Sequence, residues 1–363
     1  MSGAYSTTQK TAGPWVDIDL GALCANYAFI RDQAPGVETA VVVKCDAYGL
    51  GLEAVACALA SRENCQIFFV AYPEEGAALR DYLGVSAPDI YVFNGPLPET
   101  MPLFEQARLT PVLNSLEQAS AWAQRMPGVV AALHIDTGMN RLGAPINELD
   151  AIAAINNLNI SLVMSHLACS SAPTHPKNQL QRECFIDASG RFPGVRLSLS
   201  ASGGALMGKD YHFDLLRPGI ALYGGSPFDE DEPRLRSVAA LRAPVVQLRN
   251  GEAGETVGYG AAHQITQKTR LATVALGYGD GFPRAGSGQA EAFIGDARAP
   301  LIGQVSMDLI SLDVCSVKNP VKTGDIATFF GEGVSLFEAA KACNTIPYKL
   351  LTGLGARVDR RYF

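Results

Sequence analysis

Residues 40–44 read AVVVK, residues 67–71 IFFVA and residues 161–166 SLVMSH. Each is a short run of β-branched or aromatic residues, followed by a segment with apolar residues at helical spacing. A run that is apolar at nearly every position suits a strand covered on both faces, as in a parallel sheet. Counting outward gives eight runs, at residues 39–44, 67–71, 90–93, 110–113, 130–135, 161–166, 196–200 and, more weakly, 213–217. Helical stretches at 53–61, 73–82, 116–125, 146–155 and 177–188 lie between them. Eight β–α alternations in about 200 residues predict an α/β chain folded as a (β/α)8 barrel. An open doubly wound sheet is the alternative that the count leaves.

After residue 233 the rhythm changes. VVQLRN (245–250), TRLATVALG (269–277), AEAFIG (290–295), LIGQVSM (301–307), ISLDV (310–314) and IATFFG (326–331) are strand-like and lack helices between them. They predict a mainly antiparallel β domain with a helical piece near 336–351. The expected organisation is a polar tail at 1–14, the barrel at 15–235 and the β domain at 236–363. WVDIDLGALCANYAFI (15–30) reads as a strand followed by a helix, and pattern alone does not assign its strand to either domain.

The chain has 363 residues, 48% of them apolar and 18% charged, which is globular rather than disordered. Its 29 Lys and Arg against 36 Asp and Glu leave −7, with no basic run to displace nucleic-acid counterions. No apolar stretch approaches the ~20 residues of a membrane span. The N-terminal MSGAYSTTQKTAGPW has no apolar core of a signal peptide. Cys24, Cys45, Cys57, Cys65, Cys169, Cys184, Cys315 and Cys343 are scattered without a C-x-x-C, which fits free thiols in a reducing cytoplasm. No metal-binding cluster is expected.

Reactive groups of a barrel sit at the C-terminal ends of its strands. Those ends carry Lys44, Asn94, the segment 134–141, His166, residues 200–202 and Arg217. Lys44 follows three valines, so it is either a snorkelling surface group or an amine whose pKa burial lowers for chemistry. Near the seventh and eighth strands, Ser202 and Arg-Pro-Gly-Ile (217–220) suggest a phosphate cradle, with the amides of Gly219 and Ile220 free at a helix start. An ordinary Gly/Ser turn is the plainer alternative. An amine opposite a phosphate cradle is what a pyridoxal 5'-phosphate enzyme needs. Rival motifs are weaker. Asp136-Thr137-Gly138 lacks the second carboxylate copy of an aspartic protease. His134 and His166 lack metal-ligand spacing, and YGLGLEAV lacks the third glycine of a dinucleotide loop.

Seven segments together resemble alanine racemase, a fold-type III pyridoxal phosphate family. They are AVVVKCDAYGLG (40–51), HIDTGMNRLG (134–143), LLRPGIALYG (215–224), TVGYGA (256–261), ALGYGDGFPR (275–284), IGQVSMDLISLDV (302–314) and IPYKLLTGLGARVDRRY (346–362). The resemblance implies a barrel plus β domain, with the strand near 15–20 joining the latter. It implies a homodimer with shared active sites that acts on alanine. Lys44 would carry the cofactor and serve as one base, and Tyr259 of the partner copy would be the opposing base. Tyr48, Ser202, Gly219, Ile220 and Tyr348 would hold the phosphate, and Arg217 the pyridine nitrogen. Arg141 and the Met307 amide would hold the substrate carboxylate. His166 would join Arg217 in a supporting hydrogen-bonded chain, and Asp308 and Tyr278 would stand near the entrance.

Two positions depart from the family pattern. His134 stands where many members carry a carbamylated lysine that orients the arginine, and Ala201 replaces an asparagine before the phosphate serine. The resemblance leaves rivals: racemisation of serine or lysine, a decarboxylase on the same fold, and a cofactor carrier without catalysis.

Overall fold

The structure, a computed structural model, describes residues 12–84 and 88–363, so most of the expected polar tail lies outside the described residues. Two compact units are present. One comprises Cys24–Leu222 and Ser226–Glu232; the other comprises the described residues up to Leu23, with Tyr223–Gly225 and Pro233–Phe363.

In the first unit seven parallel strands follow one another in chain order: Val41–Val42, Ile67–Val70, Asp89–Val92, Thr110–Leu113, Val130–His134, Asn159–Met164 and Arg196–Ser198. The eighth run is realised as Leu215–Leu216, which pairs in parallel with Glu38–Thr39. Its flanks bond on both sides. Asp214 N donates to Leu197 O at 3.0 Å and Arg217 N to Ser200 O at 2.9 Å, while Ala40 N donates to Leu216 O at 2.9 Å and Val42 N to Pro218 O at 3.0 Å. These bonds join the last strand to the first and close the sheet, which excludes the open alternative. Val41, Phe68, Phe69, Val92 and Val112 are all fully buried, as runs apolar on both faces require.

The surrounding helices include Leu52–Glu63, Pro73–Leu83, Leu116–Arg125 and Pro176–Ser189. Leu116–Arg125 shows how local chemistry sets them. Ser115 caps the start by accepting the Gln118 amide, and Ala119, Trp122 and Ala123 form the buried face. The stretch 146–155 is shorter than expected, a 3-10 turn at Ile146–Glu148 followed by Leu149–Ala153. Two six-residue helices, Met101–Gln106 and Ser202–Met207, are too short to show a period in sequence.

The second unit has an eight-stranded, mostly antiparallel sheet. Its long strand Ala239–Gly251 shifts register at two points, Leu241/Arg242 and Val245/Gln247, and so serves several partners. Trp15–Ile18 lies in this sheet, antiparallel to residues 239–242 and parallel to Asp359–Tyr362. LIGQVSM is not a strand. Gly303 has φ +74°, and beyond a lone bridge from Leu301 to Leu312 the segment is a loop. The C-terminal helical piece is two short helices, Leu336–Ala342 and Pro347–Thr352. Among the described residues no helix is long and apolar enough to cross a membrane, and no three His, Cys, Asp or Glu could hold a metal.

Candidate active site

Lys44 stands directly after the first barrel strand, with its Nζ 5.5 Å from the centre of the Phe93 ring. Burial holds its pKa below the ordinary lysine value, assisted by the nearby Arg141 charge. A lowered pKa makes the neutral, nucleophilic form of the amine easier to reach than in a surface lysine. Behind it Cys45, Asp46, Ala47 and Tyr48 all have φ between 50° and 58°, a left-handed turn of four L-residues. Each residue in that conformation costs ~1–2 kcal/mol, so the surroundings must impose it.

The turn delivers Tyr48 to the end of the adjoining eighth strand. A Cβ built on Gly219 would lie 2.2 Å from the Tyr48 hydroxyl, so only glycine admits that approach. The Gly219 amide is not free, contrary to the sequence expectation. It donates to Ser202 Oγ at 2.9 Å, and Ala221 N donates to the same oxygen at 3.2 Å. The GIALYG segment forms a 3-10 turn, Ile220–Tyr223, rather than an α-helix. Both lone pairs of Ser202 Oγ are thus engaged, and its hydroxyl proton points to no acceptor among the described residues. A hydroxyl left as a pure donor beside the Tyr48 hydroxyl and the first amides of a turn fits an anionic group such as a phosphate. Gly219→Ala is expected to displace Tyr48 and weaken cofactor retention about ten- to hundredfold, the worth of one hydrogen bond to a charged group. The dissociation rate of pyridoxal 5'-phosphate from the loaded protein checks this.

Arg217 is 1% exposed and no carboxylate pairs with it among the described residues. Its Nη1 donates to Ser198 Oγ and its Nη2 to Ser165 O at 2.6 Å. Burial pushes it down to about 9, which leaves it cationic at neutral pH. These bonds use two of the five guanidinium donors, so Nε–H and the second hydrogen of each Nη remain for a ring nitrogen. These Arg217 bonds go to Ser198 and Ser165, and its charge acts on His166 electrostatically. Desolvation first, then Arg217, Arg141, His134 and Lys44, push His166 down to about 3.

His134 is buried, with Nδ1 3.0 Å from Asn114 Oδ1. Asn114 Nδ2 donates to Phe93 O at 2.9 Å and Val112 O at 2.8 Å, so its amide orientation is fixed and Oδ1 must be the acceptor. The proton therefore sits on His134 Nδ1, and Nε2 is a neutral acceptor within electrostatic reach of Arg141. Arg141 itself makes no ion pair among the described residues. Desolvation and Arg217 push His134 down to about 3. An unfolded imidazole takes up its proton near 6.5, so stability falls as pH drops through the window between the two values. By about pH 5 His134 alone removes ~2 kcal/mol. The fall in Tm from neutral to mildly acid pH is expected to be smaller in His134→Gln.

Asp136 shapes the loop that carries Arg141. Burial raises its pKa, but bonds from the amides of Gly138, Asn140 and Met139 outweigh this and hold the carboxyl below its usual range. The Asp-Thr-Gly tripeptide is thus a turn former.

The remaining expected residues belong to the second unit. Tyr259 is 72% exposed between Gly258 and Gly260, whose φ values are +74° and +68°. Tyr278 N donates to Ser306 O at 3.0 Å and Gly279 N to Met307 O at 2.8 Å, which ties the Tyr278 and Met307 segments together. A Cβ on Gly277 would lie 2.2 Å from Met307 O. Arg357 bridges Asp280 at 3.0 Å and Asp308 at 2.8 Å. Tyr348 keeps an exposed edge, while burial of its hydroxyl pushes it up to about 12.

Several supporting residues are not apparent from sequence. Asn114, Ser165 and Ser198 follow or end apolar strands, where a polar residue at the barrel mouth was the available signal. Gln181 sits mid-helix, binds Thr137 and the His166 carbonyl, and left no such signal.

The model for the alanine racemase N-terminal domain matches residues 18–227, and that for the alanine racemase C-terminal domain matches 238–362. An alanine racemase of Jannaschia sp. is 44% identical over 344 residues, covering 94% of this chain and 97% of the relative. A catabolic alanine racemase of Agrobacterium fabrum is 42% identical, covering 95% of this chain and 91% of the relative. Among solved structures, alanine racemase from Bartonella henselae with covalently bound pyridoxal phosphate superposes with TM-score 0.91 at 32% identity, covering 97% of this chain and 100% of that one. The closed barrel with its desolvated lysine, the β unit and these matches over nearly the whole chain agree: the chain belongs to the alanine racemase family, pyridoxal phosphate-dependent isomerases.

Proposed function

We propose that the chain interconverts L- and D-alanine as a cytoplasmic homodimer, with Lys44 and Tyr259 as the two bases. The observation that carries this reading is the desolvated Lys44 amine at the mouth of the same barrel that holds Ser202, whose hydroxyl accepts two amides and keeps its own proton to donate. When bound, pyridoxal 5'-phosphate supplies an electron sink that acidifies the substrate Cα–H. Lys44 would hold the cofactor covalently, with Tyr48, Ser202, the Ile220 amide and Tyr348 at its phosphate, Gly219 giving Tyr48 room to approach, and Arg217 at its ring nitrogen.

The protein's own part is to place groups around the Cα. Arg141, oriented by neutral His134 Nε2, and the Met307 amide would hold the substrate carboxylate. Lys44 Nζ then moves a proton at one face of Cα and Tyr259 Oη at the other, since racemisation requires removal from one side and return to the opposite one. The exposure of Tyr259 and Met307 supports a site completed by a partner copy. Arg217, a cation that donates a hydrogen bond without giving up its proton, limits charge withdrawal and so disfavours decarboxylation.

Initial rates with each L-amino acid on loaded protein test the substrate. Alanine is expected to lead. A tenfold preference for serine or lysine, ~1.4 kcal/mol in transition-state binding, would overturn it. Bound cofactor without exchange of the substrate α-hydrogen would point to a carrier.

A further inference from the structure

The left-handed turn from Cys45 to Tyr48 carries Lys44 before it and ends on Tyr48, so its shape sets where both side chains point. Cβ atoms oppose this conformation, and no glycine occurs among the four residues. Two carboxylates hold the turn. Asp46 Oδ1 accepts the Leu52 amide at 2.7 Å and anchors its exit. Its entry is held from outside. Glu75, in the helix Pro73–Leu83, accepts the Cys45 amide on Oε1 at 2.6 Å. Its Oε2 accepts the amides of Ala71 and Tyr72 at 2.8 and 3.1 Å.

One carboxylate thus bridges the ends of two neighbouring barrel strands. The bonds to Ala71 and Tyr72 are ordinary for an acid in the first turn of a helix. The bond to Cys45 is not, because it reaches the residue immediately after Lys44. Both oxygens face N–H donors only. A glutamine would therefore turn its own NH2 towards one of those donors and lose that side of the bridge. The negative charge also opposes part of the desolvation felt by Lys44.

We propose that Glu75 is a positioning residue for the reaction, locking the left-handed turn so that Lys44 and Tyr48 meet the cofactor together. This rests on the reading of Lys44 as the cofactor-bearing lysine. Reductive trapping of the loaded wild-type protein, followed by peptide mapping, tests that reading separately: a label found on a residue other than Lys44 would refute it whatever Glu75 does.

The Glu75 test uses loaded Glu75→Gln, with Ser115→Ala as a control that removes a comparable cap from the helix Leu116–Arg125 and makes no bond to the Lys44 turn. Glu75→Gln is expected to lower kcat about ten- to hundredfold, the penalty of a small misplacement, with the alanine KM within about twofold. The visible circular dichroism of the bound cofactor should change as well. Ser115→Ala should lower Tm and leave both kcat and the dichroism as in wild type. Where Glu75→Gln fails to fold, Glu75→Asp keeps the charge at the helix start but is one methylene too short for Cys45. It should retain Tm and show the same fall in kcat. Wild-type kcat and dichroism in the folded variant would overturn the proposal and reduce Glu75 to a helix cap.

Discussion

Lys44→Ala is expected to lose racemisation by at least about a thousandfold and to release its cofactor on gel filtration, because on the proposed reading one side chain is both the covalent anchor and a base. The physical ground is the position of the amine. It follows Val41–Val42 at the mouth of a closed barrel, with its pKa lowered by burial and by Arg141. Free amines added to the variant should restore part of the rate, since they replace the base but not its placement. Lys44→Arg should recover nothing, because a guanidinium stays protonated and neither forms the linkage nor accepts the proton. Full racemisation with cofactor still covalently held in Lys44→Ala would contradict the assignment.

Tyr259→Phe is the second large effect, an expected loss of about 10²- to 10⁴-fold in racemisation with little change in cofactor content. Its signature is asymmetric. With Lys44 intact, one enantiomer should still exchange its α-hydrogen with solvent, whereas the other should exchange only at the residual rate. The proposed shared site adds a further consequence. Lys44→Ala and Tyr259→Phe proteins are each inactive, but a mixed dimer has one site with both defects and one with neither. Co-refolded equal mixtures should recover up to about a quarter of wild-type activity, from two-fold symmetry alone. No recovery in a proven mixed dimer would place Tyr259 in its own chain's site.

The barrel was legible because AVVVK, IFFVA and SLVMSH are apolar on both faces, and eight such runs close only one common way. Lys44 was legible for the same reason, as a charge that ends an apolar run. The left-handed turn after it was not, because Cys-Asp-Ala-Tyr carries no local preference for that conformation. Its entry is bonded by Glu75 from another helix, which is tertiary information. LIGQVSM is apolar enough to pass for a strand, but Gly303 at φ +74° and the bond from Gly279 to Met307 make it a loop. Ser202 stood out in the sequence as a cradle candidate, but the direction of its bonds was not legible: it accepts the Gly219 amide that the sequence left free. His134 shows the limit most clearly. Its residue type marked a departure from the family pattern, but only the bonds of Asn114 to Phe93 and Val112 fix which imidazole nitrogen is the acceptor.

The claim on which the rest depends is that two groups on opposite faces of the substrate exchange protons with solvent. Racemisation of L-alanine by the loaded protein in deuterium oxide, followed to low conversion with chiral separation and mass analysis, tests it directly. The D-alanine formed should carry deuterium at Cα in nearly every molecule, and the same should hold for L-alanine formed from D-alanine. Product that retains the substrate's own α-hydrogen would show one group returning the proton it took, and would contradict the two-base arrangement.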